Sequence, residues 1–233
     1  MIRNLRQSYG LAGVLTLLVI VTSIVVTLQL SVEAAEKETI SGDVMVSQWI
    51  QRFSVPGVEY LVELLNWIGR PIPMALLTGI VAVGLMSRRR YAEAMLVLPT
   101  TATHAVNALL KNVIQSPRPT DEHVQIQHHA AGFGFPSGHT MAVVVFCGVI
   151  AYLAWRLIEH RRLQYAVHAI VILAVLGIGF SRIYSGAHWP TDVLGGYLWG
   201  IFYTSLLVLF FHRTQPLKAD GGVPTTERIS NPI

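Results

Sequence analysis

The sequence predicts an all-α membrane protein, a polytopic bundle of about six transmembrane helices with both termini in the cytoplasm. Apolar residues make up 52% of the 233 residues and charged residues only 13%, against roughly 25% in soluble domains. Mean hydropathy is +0.51. The apolar residues form long runs separated by short basic clusters, so the net charge of +4 reflects membrane topology better than it does nucleic-acid binding.

Six apolar runs are candidates to cross a bilayer, which takes about 20 residues. In chain order, the runs are Gly10–Leu30, Pro71–Met86, Ala92–Ile114, Gly138–Leu157, Ala166–Phe180 and Trp189–Phe211. If they alternate in direction, all four basic clusters fall on one side: Arg3 with Arg6, Arg88–Arg90, Arg156 with Arg161 and Arg162, and Arg213 with Lys218. The positive-inside bias places that side in the cytoplasm. The connections 33–70, 115–136 and 181–188 then face the extracytoplasmic side.

The chain is predicted to form a single transmembrane domain over residues 1–214, followed by a disordered cytoplasmic tail at 215–233. The tail contains glycine and proline, no aromatic residue and no periodicity. The first apolar run could instead be a cleaved signal peptide, because Arg3 and Arg6 precede it and residues 32–34 fit a cleavage site. Its length of about 20 residues exceeds a signal core of about 7–15 and favours a retained anchor.

The first extracytoplasmic connection contains two apolar patterns at helical spacing, on either side of Pro56 and Gly57. The patterns comprise Val46, Trp49, Ile50 and Phe53, then Val58, Leu61, Val62 and Leu65. They predict two amphipathic helices at the bilayer surface, and packing against the bundle is the favoured role.

Cysteine and histidine usage gives little support for a metal site. Cys147 is the only cysteine, so an intrachain disulfide and a cysteine-based metal site are both excluded, and its apolar surroundings predict a packed core residue. His123, His128 and His129 lie close together, but a solvated loop or contacts with a substrate headgroup are favoured over a metal.

Cationic residues gather at the ends of the runs on the predicted extracytoplasmic side. Lys111 and Arg118 lie at the end of the third run, and Arg182 precedes the sixth. Convergence of these cations would create a phosphate site. Ser137 and Gly138 begin the fourth run, where the serine is expected to cap the helix and the glycine to let an anion approach the N–H groups.

Two histidines and an aspartate complete the reactive set. His188 and Asp192 are four residues apart at the start of the sixth run, so one helical turn brings them to the same face. A carboxylate bonded to one imidazole nitrogen leaves the other free to act as a base or nucleophile. His139 is predicted to lie across the phosphate site and to protonate a departing oxygen.

These three stretches together resemble the motifs of the type 2 phosphatidic acid phosphatase superfamily, and every motif position is filled. The matching residues are Lys111, Arg118, Pro119, Pro136, Ser137, Gly138, His139, Ser181, Arg182, His188 and Asp192. The resemblance implies that His188 forms a phosphohistidine, that Asp192 orients it, and that His139 protonates the leaving oxygen. It also implies a phosphate site of Lys111, Arg118, Ser137, Gly138 and Arg182, and catalysis with no metal and no other cofactor.

The expected function is that of an integral plasma-membrane lipid phosphatase with its active site on the extracytoplasmic side. Undecaprenyl diphosphate and lipids of the phosphatidate or phosphatidylglycerol phosphate type are both candidate substrates, and no nucleic acid or obligatory protein partner is inferred. A phosphotransferase using the same phosphohistidine is an alternative. A non-enzymatic lipid transporter would leave the nucleophile set unexplained, and the six runs argue against a soluble haloperoxidase.

Overall fold

The computed structural model describes residues 24–36, 41–127 and 130–214, and over these residues the chain is helical with no strands. Its helices are α1 (Ile24–Ala35), α2 (Ser41–Gln51), α3 (Val58–Ile68), α4 (Pro71–Ser87), α5 (Tyr91–Val97), α6 (Thr103–Ile114), α7 (Gly138–Leu157), α8 (Arg161–Tyr184) and α9 (Pro190–Thr214). A 3₁₀ segment, Leu98–Ala102, joins α5 to α6. The predicted all-α class is confirmed.

Three of these helices, α7, α8 and α9, are long and apolar enough to cross a membrane. The α3–α4 pair, bent by 69°, would add a fourth span if it crosses as one broken unit. Six spans and cytoplasmic termini therefore stay predictions. Most of the run Gly10–Leu30 and the whole tail 215–233 lie outside the described residues.

The predicted boundaries differ from the observed helices in two informative places. The third run, Ala92–Ile114, is not one regular helix, because Pro99 lacks an N–H group and the chain tightens into the 3₁₀ segment there. The fifth run, Ala166–Phe180, lies within α8, which extends well beyond it at both ends. Hydropathy marks only its apolar middle, whereas the polar residues at its ends continue the helix. The run Gly138–Leu157 coincides with α7.

The two amphipathic helices of the first connection are confirmed as α2 and α3, and both pack on the bundle. Val58 and Val62 of α3 form a buried cluster with Tyr184 of α8. On α2, buried Asp43 accepts hydrogen bonds from the Thr191 backbone N–H at 3.0 Å and from its hydroxyl at 2.6 Å. These contacts bring both helices to the end of the bundle where α8 ends and α9 begins.

Helix α7 is the centre of the bundle and contributes to two apolar clusters. One cluster joins it to α4 and α8, and the other joins it to α5 and α9. Their buried members are Met74, Ala142, Val143, Cys147 and Ile178, and Leu96, Val97, Val149, Leu153 and Phe211. Cys147 is thus a core residue, as predicted.

Glycines on α9 allow it to approach α7 closely. A Cβ atom at Gly196 would lie 2.9 Å from the Ser137 carbonyl oxygen, and one at Gly200 would lie 2.7 Å from Val144 Cγ1. Since only glycine avoids these contacts, the first turns of α7 and α9 lie side by side.

Candidate active site

The eight predicted site residues lie together at one end of the bundle. Helix ends supply Lys111 (last turn of α6), Ser137, Gly138 and His139 (start of α7), Arg182 (last turn of α8) and Asp192 (first turn of α9). Arg118 and His188 lie in the connections before α7 and α9. The structure thus brings the three stretches together.

His188 and Asp192 form the buried pair that their spacing predicts. The Nδ1 atom of His188 lies 3.1 Å from Asp192 Oδ2, and the two side chains are 2% and 1% exposed. Asp192 Oδ2 also accepts the backbone N–H of Trp189 at 3.0 Å, which holds the carboxylate in place. A carboxylate at Nδ1 fixes the proton there and leaves Nε2 without a proton.

The Nε2 atom of His188 faces a cation. Arg118 Nη1 lies 3.3 Å from it and donates to the Ala187 carbonyl at 2.7 Å. Burial lowers the pKa of His188 well below the usual 6.5, and the charges of Arg182, Arg118, Lys111 and His139 lower it further. The imidazole is therefore neutral at neutral pH, which is the state a nucleophile requires.

The segment before α7 is held against this pair by the two cations of the first stretch. Lys111 Nζ donates to the carbonyls of Phe133 and Gly134, the latter at 3.1 Å. Arg118 Nε donates to the Gly132 carbonyl at 3.0 Å. A Cβ atom at Gly134 would lie 2.8 Å from Asp192 Oδ2, so this position has no room for a side chain.

At the start of α7, Ser137 occupies the N-cap position but does not cap as predicted. Its side chain makes no cap hydrogen bond, and its Oγ instead accepts the Thr140 hydroxyl at 3.0 Å. The prediction was wrong because the Thr140 hydroxyl, in the first turn of α7, donates to this oxygen in place of a backbone N–H group. The first N–H groups of a helix have no partner within it, so this end of α7 keeps donors suited to an anion.

Gly138 is packed closely by a protein side chain, and its predicted role of letting an anion approach the backbone N–H groups stays a prediction. A Cβ atom there would lie 2.7 Å from Asn107 Oδ1. The Nδ2 group of Asn107 donates to the Pro136 carbonyl at 3.0 Å. Asn107 therefore fixes the start of α7 from α6.

The opposite wall of the site is formed by His139 and Arg182. Arg182 is 8% exposed, its Nη1 donates to Asn66 Oδ1 at 2.7 Å, and its buried Nε has no hydrogen-bond partner among the described residues. His139 packs against the turn after α3, where a Cβ at Gly69 would lie 2.7 Å from the imidazole Cδ2. A buried guanidinium N–H group without a partner suits an anionic ligand.

A model of the PAP2 superfamily matches residues 92–216, slightly more than half of the chain. The chain belongs to the PAP2 superfamily. It is 30% identical to phosphatidylglycerophosphatase B of Bacillus subtilis (strain 168) over 73% of its own length and 81% of that protein. It is 43% identical to the putative undecaprenyl-diphosphatase YbjG of Escherichia coli K12, over 32% of this chain and 33% of that one.

The solved structures agree with this PAP2 assignment. The crystal structure of a transmembrane PAP2-type phosphatidylglycerolphosphate phosphatase from Bacillus subtilis superposes with a TM-score of 0.74 at 25% identity. The superposition covers 85% of this chain and 98% of that one. Together with the apolar helices, these relationships make the protein an integral membrane phosphatase of the PAP2 superfamily.

Three polar residues of this PAP2 site were not predicted from the sequence. Asn107 lies one turn before Lys111, so helical spacing places both on one face and could have indicated it. Asp43 and Asn66 lie outside the matched family region. Each is a polar residue on an amphipathic helix, and only the tertiary structure shows what it contacts.

Proposed function

We propose that the protein is a lipid phosphatase that hydrolyses a phosphomonoester or diphosphate through a phosphohistidine on His188. The observation that carries this proposal is the buried imidazole of His188, held between a carboxylate and a guanidinium. Asp192 is bonded to its Nδ1 atom, and Arg118 lies beside its Nε2 atom. Arg118 lies against this nitrogen, and the charges of Arg182 and Lys111 also act on His188, which is the electrostatic setting that phosphoryl transfer needs.

In the first step, His188 Nε2 attacks phosphorus and the bond from phosphorus to the leaving oxygen breaks. His139 gives its proton to that oxygen, and Asp192 stabilises the positive charge that develops on His188. Arg182, Arg118, Lys111 and the first N–H groups of α7 bind the phosphoryl oxygens. The unpartnered Nε of Arg182 is a ready donor for one of them.

In the second step, water attacks the phosphohistidine and its proton passes to His139. The N–P bond breaks, phosphate leaves, and His188 returns to its neutral form with Asp192 still at Nδ1. The proton that His139 loses in the first step is thus recovered in the second. In this scheme, the residues of the chain carry out both steps without a metal.

The site is proposed to face the extracytoplasmic side of the plasma membrane, in a six-span arrangement with cytoplasmic termini. The support is the distribution of basic residues, because Arg88–Arg90 and Arg161 with Arg162 lie at helix ends remote from the site. A site at the end of apolar helices lets a lipid tail stay in the bilayer while its phosphate reaches the cations.

Two relatives with different named substrates support the proposed substrate class. One is named for phosphatidylglycerophosphate and the other for undecaprenyl diphosphate. We therefore propose a lipid phosphate of one of these types.

The experiment is phosphate release by detergent-purified wild type, His188→Ala and His188→Gln in EDTA. Undecaprenyl diphosphate, phosphatidate and phosphatidylglycerol phosphate are offered separately. Quenched reactions with ³²P-labelled substrate are tested for an acid-labile, base-stable protein phosphate. Wild type should release phosphate and form this adduct, and both variants should lose each by about a thousandfold or more.

Equal release by wild type and His188→Ala would contradict the nucleophile assignment. Loss of activity in EDTA that only a divalent ion restores would contradict the metal-free mechanism.

Single cysteines introduced by Glu122→Cys and Arg88→Cys, in a Cys147→Ala background, test which side of the membrane the site faces. An impermeant maleimide should label only the first in intact cells, and the reverse pattern would overturn the topology.

A further inference from the structure

The side chain of Asn66 joins α3 to the catalytic end of α8. Its Oδ1 atom accepts the Arg182 Nη1 donor at 2.7 Å and the Ser181 hydroxyl at 3.1 Å. Asn66 precedes Arg182 by 116 residues and lies outside the region that the PAP2 model matches. The contact therefore adds to the site from a part of the chain that carries no family motif.

The same turn of α3 also contacts His139. The His139 ring packs on this turn and leaves no space for a side chain at Gly69. One short segment, Asn66–Gly69, thus touches both the proposed proton donor and a proposed phosphate ligand. A shift of this segment would displace both.

The chemistry of the amide suits a phosphate-binding arginine. Arg182 is almost fully buried, and a buried guanidinium needs an acceptor. An amide oxygen fixes its Nη1 group without neutralising its charge, whereas a carboxylate would compete with the phosphate for it. With Nη1 held, the unpartnered Nε remains available for a phosphoryl oxygen.

We propose that Asn66 is a positioning residue that holds Arg182 with its full positive charge toward the substrate phosphate and aligns it with His139. The proposal rests on the phosphatase function proposed above. It predicts that a neutral acceptor is required at position 66 and that an acidic residue of the same size is harmful there.

The test compares Asn66→Asp and Asn66→Ala with wild type, using inorganic phosphate as a competitive inhibitor and a soluble short-chain phosphatidate as substrate. Asn66→Asp keeps the size of the side chain and should raise the inhibition constant of phosphate about tenfold or more. Asn66→Ala removes the anchor and should lower kcat/KM by about tenfold or more. The matched control is Asn112→Asp, an exposed asparagine at the end of α6.

A double-mutant cycle with Arg182→Ala separates positioning from general stability. If Asn66 acts through Arg182, the effect of Asn66→Ala on kcat/KM should shrink to within about twofold when Arg182 is absent. The proposal is overturned if this effect persists undiminished. It is equally overturned if Asn66→Asp, shown by thermal melting to be folded, has the same inhibition constant for phosphate as wild type. Failure of the phosphatase function itself would appear separately, as activity retained in His188→Ala.

Discussion

The backbone N–H of Ser137 donates to the backbone carbonyl of Asp192 at 2.9 Å and so joins the first turns of α7 and α9. Ser137 belongs to the proposed anion-binding end of α7, and Asp192 contacts the proposed nucleophile His188. The distance between phosphate site and nucleophile therefore depends on how closely two helices pack. This coupling makes the α7–α9 interface a determinant of activity as well as of stability.

Substitution of Gly200 by alanine should test that interface. An added Cβ would lie 2.7 Å from Val144 Cγ1 and 2.8 Å from its Cβ, so the helices must separate. We expect a loss of about 1–3 kcal/mol in the free energy of unfolding, together with lower kcat/KM. Thermal melting in detergent and phosphate release measure the two effects.

The matched control is Gly84→Ala on α4, where an added Cβ meets nothing within 4 Å. Alanine favours helix over glycine by about 1 kcal/mol, so this variant should be as stable as wild type or slightly more stable. If Gly200→Ala melts like Gly84→Ala, close packing of α9 on α7 is not required.

Asn107 is expected to support the start of α7. Asn107→Ala loses the hydrogen bond to the Pro136 carbonyl and leaves that buried acceptor unpaired. The phosphate-binding end of α7 should shift, and kcat/KM should fall by about tenfold. Steady-state kinetics measure the effect, with Asn112→Ala as the exposed control on the same helix. Equal activity of the two variants would show that α7 needs no such support.

The sequence predicted the local features of the site and missed those that depend on tertiary structure. The His188–Asp192 pair follows from helical spacing alone. The Asn66–Arg182 hydrogen bond was not predicted, because it joins distant helices through residues with no shared pattern.

The fold shows the same division between local and tertiary information. Apolar runs located α4, α7 and α9 closely, since hydropathy reports helices buried in apolar surroundings. They did not show that Pro99 interrupts the third run or that α3 bends into α4 by 69°. Ser137 does not cap α7, because its oxygen accepts the Thr140 hydroxyl of the first turn in place of a backbone N–H group.

Arg70 is expected to influence which leaving group the enzyme tolerates. It lies at the N-terminus of α4, is exposed, and its charge acts on both His139 and Arg182. A cation beside the proton donor should stabilise a leaving group that keeps its own phosphate. Arg70→Gln should lower kcat/KM about threefold or more for farnesyl diphosphate and less than about twofold for farnesyl phosphate.

These two substrates share one lipid tail, so the comparison isolates the charge of the leaving group. Arg52→Gln, which removes an exposed arginine at the end of α2, controls for net charge. An equal loss on both substrates would assign Arg70 to general attraction of anions and not to the leaving group.

The pH dependence of kcat/KM should report the ionisation of His188. Burial and the surrounding cations lower its pKa below 6.5, so the nucleophile is neutral at pH 6.5 and above and is lost by protonation only at lower pH. Arg118→Gln removes one of those cations and should raise the pKa of His188. The acid limb of the variant should then lie at higher pH than that of wild type.

The quantity to measure is the ratio of kcat/KM for Arg118→Gln to that for wild type. The ionisation of the substrate phosphate, with a pKa of about 6, cancels in this ratio. We expect this ratio to fall as the pH decreases from 7 toward 5, and to stay level for Arg52→Gln. A ratio that rises toward low pH would mean that Arg118 does not act on the charge state of His188. Its contribution would then be confined to binding the phosphoryl oxygens.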